Sequence, residues 1–104
     1  MTELEVQRCE RCGTSAFPDR LWCPGCGAGD LGHGPAGPGR VEEETTVRRP
    51  PAAAPTDEPR RLGTVRLESG PKVIARLATG AGAGTRVRLE TAPEGAIWAH
   101  PTPD

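Results

Sequence analysis

The sequence predicts a mostly β protein in two parts, an N-terminal ribbon closed on a metal by four cysteines and a small antiparallel β-barrel after it. Three observations predict it. The cysteines of the 104-residue chain stand in two C-x-x-C-G pairs, Cys9-Glu10-Arg11-Cys12-Gly13 and Cys23-Pro24-Gly25-Cys26-Gly27. After Arg61, short runs alternate apolar with charged residues between glycine and proline turns. No stretch of the chain makes a convincing helix.

Each cysteine pair has the shape of a metal knuckle. Two thiolates close a tight turn on one ion, and the trailing glycine allows the positive φ that lets backbone N–H groups face the sulfurs. Two knuckles facing each other supply four soft ligands in a tetrahedron, the set a structural zinc prefers. Cys9, Cys12, Cys23 and Cys26 are therefore the expected ligands of one structural Zn2+. A fully thiolate-filled shell leaves no position for water or substrate, so no catalytic residue is expected at the metal. An iron centre of rubredoxin type uses similar knuckles. A redox dithiol is a weaker reading, because two symmetrical pairs with trailing glycines serve a metal better. Between the knuckles, Phe17, Leu21 and Trp22 are expected to pack beside the metal on a small hairpin, since Pro18 disfavours a helix there.

The expected order is a rubredoxin-like zinc ribbon over residues 1–30, a Gly/Pro linker over 31–39 and an OB-fold barrel over 40–101. A mobile loop is expected at 50–60 and a frayed tail at 102–104, with fraying from His100. Residues 1–8 read as a polar lead-in in which Leu4 and Val6 alternate as a brief strand would. The first barrel strand runs from Arg40 to Arg49, although Glu43 interrupts its alternation. Val65 and Leu67, then Val73, Ala75 and Leu77, form a hairpin around Ser69-Gly70-Pro71. Arg86 to Glu90 and Ala96 to Ala99 supply the last strands. The expected core is Val41, Val47, Leu62, Val65, Leu67, Val73, Ile74, Leu77, Val87, Leu89, Ile97 and Trp98. Such a small aliphatic core is marginal, and a structural zinc, typically worth about 10–16 kcal/mol, decides whether the ribbon folds.

Charge narrows the function classes. Thirteen basic residues, of which only Lys72 is lysine, face fourteen acidic ones for a net charge of −1. No long-range field then gathers nucleic acid or an anionic membrane. Phe17, Trp22 and Trp98 are the aromatic residues, few for stacking on single-stranded nucleic acid. A nucleic-acid-binding ribbon/OB protein remains the alternative function. No apolar run approaches the roughly 18 residues of a membrane span, and a cytoplasmic location is expected, where paired cysteines bind metal more often than they form disulfides.

The remaining motifs are plain. Gly80-Ala81-Gly82-Ala83-Gly84 opens no recognisable helix and has no Gly-Lys-Ser/Thr after it, so it reads as a loop rather than a phosphate cradle. Glu42-Glu43-Glu44 reads as a solvated strand edge, and His33 and His100 as solvated side chains. Arg48, Arg49, Lys72 and Arg76 are candidates for contact with the phosphates of a cofactor or with an acidic partner. Solubility on exposed strand faces accounts for any one of them equally well.

The order of these features resembles that of the zinc-ribbon/OB-fold proteins associated with acyl-CoA enzymes. The resemblance begins with Arg8-Cys9-x-x-Cys12-Gly13, Phe17-Pro18 and Cys23-Pro24-x-Cys26-Gly27. It continues through Pro38-Gly39-Arg40-Val41, Thr46-Val47-Arg48-Arg49-Pro50 and the hairpin Val65-Arg66-Leu67-Glu68-x-Gly70-Pro71-Lys72-Val73. Gly84-Thr85-Arg86-Val87-Arg88-Leu89 and Ile97-Trp98-x-x-Pro101 complete it, so it covers residues 8–101. The resemblance implies a non-catalytic partner of a thiolase-fold catalytic subunit: a thiolase, a hydroxymethylglutaryl-CoA synthase, a ketosynthase-like acyltransferase or a thiolase-like aldolase. It further implies that the OB domain lies against that subunit and helps enclose CoA or an acyl thioester, while the ribbon docks. The family usually carries a helix before the ribbon and aromatic residues in the loop at 50–59; neither is read here.

Overall fold

Alternation decides which face of each strand enters the core. The computed structural model describes residues 2–47 and 60–102. Among them the regular elements are nine strands: β1 (Thr2–Glu3), β2 (Glu5–Cys9), β3 (Ser15–Ala16), β4 (Leu31–Pro35), β5 (Gly39–Val47), β6 (Arg60–Leu67), β7 (Lys72–Leu77), β8 (Arg86–Thr91) and β9 (Ile97–Pro101). In β7 the odd residues Val73, Ala75 and Leu77 are buried while Lys72 and Ile74 face out. Val65 and Leu67 in β6, and Val87 and Leu89 in β8, do the same. A slip of one residue would exchange the two faces, so burial of one face fixes the register.

The five strands β5 to β9 close into a ring in the order β5-β6-β7-β9-β8, with β8 pairing back to β5. All neighbours are antiparallel except β7 and β9, which run parallel at Arg76↔Trp98 and Leu77↔Ala99. Closure leaves no free edge among these strands. This is the expected OB-fold barrel. Its core holds Val41, Val65, Leu67, Val73, Ala75, Leu77, Ala81, Val87, Leu89 and Ala99, joined by Leu4, Val6 and Ala36 from the N-terminal side. The irregularity read at Glu43 is real. Register shifts between Val41 and Glu43, leaving Glu42 as the extra residue of a β-bulge. Gly63 marks a close approach: a Cβ there would stand 2.8 Å from the Glu43 carbonyl oxygen and 2.9 Å from Leu77 Cδ2.

Several expectations need correction. Residues 31–39 are not an irregular linker, because Leu31–Pro35 forms a strand that pairs with β2 from Cys9↔Leu31 to Glu5↔Pro35. The lead-in is also structural. β1 pairs with β8, β2 is the central strand of the three-stranded ribbon sheet β3-β2-β4, and Leu4 between them and Val6 within β2 are buried. The chain end does not fray at His100, since His100 and Pro101 lie in β9, and Thr102 donates from its backbone N–H to the Arg86 carbonyl at 3.0 Å. Of the expected core, Ile74 is exposed, while Leu62, Ile97 and Trp98 are only half-buried. Ile74 faces out because it shares the parity of Lys72 on β7, while Ala36, Ala75, Ala81 and Ala99 join the buried interior. The loop expected at 50–60 lies outside the described residues up to position 59, and Arg60 opens β6. The side chain of Val47 also lies outside them.

Candidate metal centre

The two knuckles are built alike. Cys9 ends β2 and its N–H donates to the Thr14 carbonyl at 2.9 Å; the Cys23 N–H donates to the Ala28 carbonyl at 2.8 Å. The Gly13 N–H closes the first turn on the Cys9 carbonyl at 3.0 Å, and the Gly27 N–H closes the second on Cys23 at 2.9 Å. These two glycines have φ of 80° and 79°, so the turn needs the left-handed region that a side chain disfavours. Cys9 and Cys23 are buried, whereas Cys12 and Cys26 are exposed.

Facing each other, the knuckles bring the four Sγ atoms within 4.8 Å of one another. Cys9 Sγ lies 3.7 Å from Cys26 Sγ, and Cys12 Sγ 3.5 Å from Cys23 Sγ. A tetrahedron of sulfurs about 2.3 Å from a central zinc has edges of about 3.8 Å, so the donor set fits the ion. The amides point inward. The Arg11 N–H donates to Cys9 Sγ at 3.4 Å, and the Gly25 and Cys26 N–H groups donate to Cys23 Sγ at 3.3 and 3.4 Å.

The electrostatics of Cys12, Cys23 and Cys26 show crowded sulfurs pulled in opposite directions. The Cys26 N–H is the largest influence on Cys23 and, with the Gly25 N–H, outweighs burial and brings that thiol down to about 6. The Thr14 hydroxyl and N–H lower Cys12. On Cys26 the Ala28 N–H pulls downward, yet the sulfurs of Cys12, Cys9 and Cys23, together with lost hydration, push it up to about 12. Thiols this crowded do not all ionise without a counter-charge, and a divalent cation at the centre supplies it.

The apolar cover expected between the knuckles is absent. Leu21 is 81% and Trp22 67% exposed, so neither seals the sulfurs from water. Phe17 packs instead against the barrel core. What holds this loop is Gln7, the buried polar side chain among the described residues. Its amide donates to the Arg20 carbonyl and accepts from the Arg20 N–H, both at 2.9 Å. His33, expected to be solvated, is half-exposed and pairs with Asp19 at 2.8 Å. No sequence signal marks Gln7 except its place beside Val6 in a strand ending at a cysteine.

The phosphate candidates are dispersed. Arg48 and Arg49 lie outside the described residues. Lys72 and Arg76 share the outward face of β7 on either side of Ile74. Lys72 sits 3.3 Å from Glu42, while the Arg76 guanidinium lies 5.8 Å from the Trp98 ring centre. Trp98 in turn stacks on His100 with ring centres 6.4 Å apart. His100, read as solvated, has its Nε2 buried without a hydrogen-bond partner. None of these groups joins the cysteine cluster. Among the described residues no helix is long and apolar enough to cross a membrane.

Comparison with known proteins agrees with this geometry. Residues 3–32 match the family described as the ChsH2 rubredoxin-like zinc ribbon domain, and residues 35–92 match the ChsH2 C-terminal OB-fold domain. A DUF35 domain-containing scaffold protein of Pyrococcus furiosus is 39% identical over 71 residues, 67% of this chain and 52% of that protein. The match thus spans about half the length of that relative. The fold superimposes on a chain of the Ltp2-ChsH2(DUF35) aldolase with a TM-score of 0.74 and 29% identity, over 95% of this chain and 84% of that one. A DUF35 protein of unknown function from Sulfolobus solfataricus shares the fold at a TM-score of 0.64 and 12% identity, over 96% of this chain and 76% of that one. With both modules matched in order and the cysteines gathered as a ribbon requires, this chain belongs to the ChsH2/DUF35 family of zinc-ribbon and OB-fold proteins.

Proposed function

We propose that this chain is a non-catalytic accessory subunit that binds, and completes or stabilises, a thiolase-superfamily enzyme acting on acyl-CoA or related acyl thioesters in the cytoplasm. The observation that carries the reading is the near-complete superposition on a chain of the Ltp2-ChsH2(DUF35) aldolase. That relative favours a thiolase-like aldolase as the partner over a thiolase, a ketosynthase-like acyltransferase or a hydroxymethylglutaryl-CoA synthase. The scaffold designation of the Pyrococcus furiosus relative points the same way. Within this chain, Cys9, Cys12, Cys23 and Cys26 hold one structural zinc. Four thiolates fill its coordination sphere, so the metal shapes the ribbon and activates no water.

The outward face of β7 is the candidate for contact with CoA at a shared interface. Lys72 and Arg76 present cations there, and Trp98 adds an aromatic face beside Arg76. Arg48 and Arg49 extend the same candidate set. The test is steady-state turnover of acyl-CoA substrates by a thiolase-fold protein from the same organism, with and without the chain. Accessory function predicts that turnover requires or rises with this chain and saturates at a fixed stoichiometry. Equal turnover at every ratio contradicts it.

A further inference from the structure

The ribbon carries an exposed apolar pair that its own fold does not use. Leu21 and Trp22 are 81% and 67% exposed, on a loop immediately before the buried Cys23. Exposure of a tryptophan and a leucine side by side is unfavourable in water, and nothing in the ribbon's packing requires it. Yet the loop is held in place. Both the nitrogen and the oxygen of the buried Gln7 amide are spent on the Arg20 backbone, His33 pairs with Asp19 at 2.8 Å, and Cys23 anchors the far end. A loop already ordered before docking lowers the entropic cost of association. Tryptophan in such a position is the residue type most enriched at binding hot spots.

The surroundings say what kind of surface it meets. Arg20 and Pro24, on either side of the pair, line an open cleft of about 330 Å³ between the ribbon and the β6–β7 turn, with Phe17, Gly70 and Lys72 completing it. Arg20 makes no ion pair among the described residues, whereas Lys72 at the rim is paired with Glu42 at 3.3 Å. We propose that residues 20–24 and this cleft form the docking surface for the catalytic subunit. Trp22 and Leu21 enter an apolar pocket on that subunit, and Arg20 meets a carboxylate at the pocket's edge. The proposal rests on the accessory-subunit reading and adds to it the chemistry of the contact.

The probe is a purified thiolase-fold protein from the same organism, immobilised for biolayer interferometry against the full zinc-loaded chain. Trp22→Ser weakens binding by at least about 30-fold, the size of a hot spot. Arg20→Glu slows association at low salt, and its difference from the native chain shrinks as salt is raised. Glu94→Gln, at an exposed residue of the turn between β8 and β9, changes affinity by less than about threefold. Zinc content and Tm stay at native values in all three variants, which separates docking from folding. In a Trp98→Phe background, Trp22 emission shifts to the blue when the partner is added. If the native chain binds and Trp22→Ser binds as tightly, the docking surface is elsewhere and the accessory reading stands. If Trp22→Ser instead abolishes self-association of this chain, the surface is a self-interface and the proposal is overturned. If the native chain does not bind, the accessory reading fails and the proposal with it.

Discussion

The ribbon and the barrel solve the same problem by different means. The barrel closes five strands around aliphatic side chains that are almost wholly buried, so its stability is spread over many contacts of similar size. The ribbon has a three-stranded sheet with a two-residue outer strand and depends on four sulfurs gathered within 4.8 Å. Distributed packing degrades gradually when one residue is lost; a metal centre fails as a unit. The two are nevertheless joined. Thr2 to Cys9 passes from the barrel sheet into the ribbon sheet, and Leu4, Val6 and Phe17 pack with the barrel's interior.

The sharpest break is Cys23→Ser. Loss of one buried thiolate removes most of a binding free energy of about 10–16 kcal/mol. Elemental analysis should show the zinc gone, and amide NMR should show ribbon resonances collapsing while those of β5 to β9 stay dispersed. Retention of an ordered ribbon without metal would erase the distinction between the two regions.

Leu67→Ala tests the other side. Leu67 is fully buried in β6, and a leucine-to-alanine cavity costs about 2–5 kcal/mol. Urea denaturation should register that loss while zinc content is unchanged. A smaller effect of about 1–3 kcal/mol is expected for Gly63→Ala, which forces a methyl against the Glu43 carbonyl and Leu77.

These contrasts also explain what could be read from the sequence. The cysteine spacing showed the ribbon because metal chemistry admits few residue types, and alternation showed β6 and β7 because one face of each is buried. Even the bulge at Glu42 left a trace, as a break in the charge alternation. By contrast, Leu31-Gly32-His33-Gly34 looks like a linker, since glycine has no side chain to display a pattern. Its strand is specified by pairing with β2, which lies more than twenty residues away. Leu4 and Val6 carried the alternation, but too briefly to reveal burial against a barrel built far later in the chain. Hydrophobicity alone places Trp22 beside the metal, whereas its 67% exposure in the fold shows it presented outward.

Two further substitutions should barely register in stability. Trp22→Ser alters an exposed side chain and should stay within about 0.5 kcal/mol by thermal melt, in contrast to its neighbour Cys23. The smallest effect belongs to Glu42, whose carboxyl is held below its ordinary range first by the hydrogen bond from Arg66, then by Lys72. A carboxyl with a depressed folded pKa stabilises fully above its unfolded value and loses that contribution as pH falls through the folded one. The Tm gap between the native chain and Glu42→Gln should therefore be present at neutral pH and close on acidification below about 4. A gap that widens in acid would mean that the Arg66 and Lys72 contacts do not hold the carboxylate.

The most direct measurement is the mass of the complex. The chain should be co-expressed with a thiolase-fold protein from the same organism and passed through size exclusion with multi-angle light scattering. An accessory subunit co-elutes at one fixed mass containing both proteins and one zinc per copy of this chain. Two separate peaks at the masses of the individual proteins would contradict it.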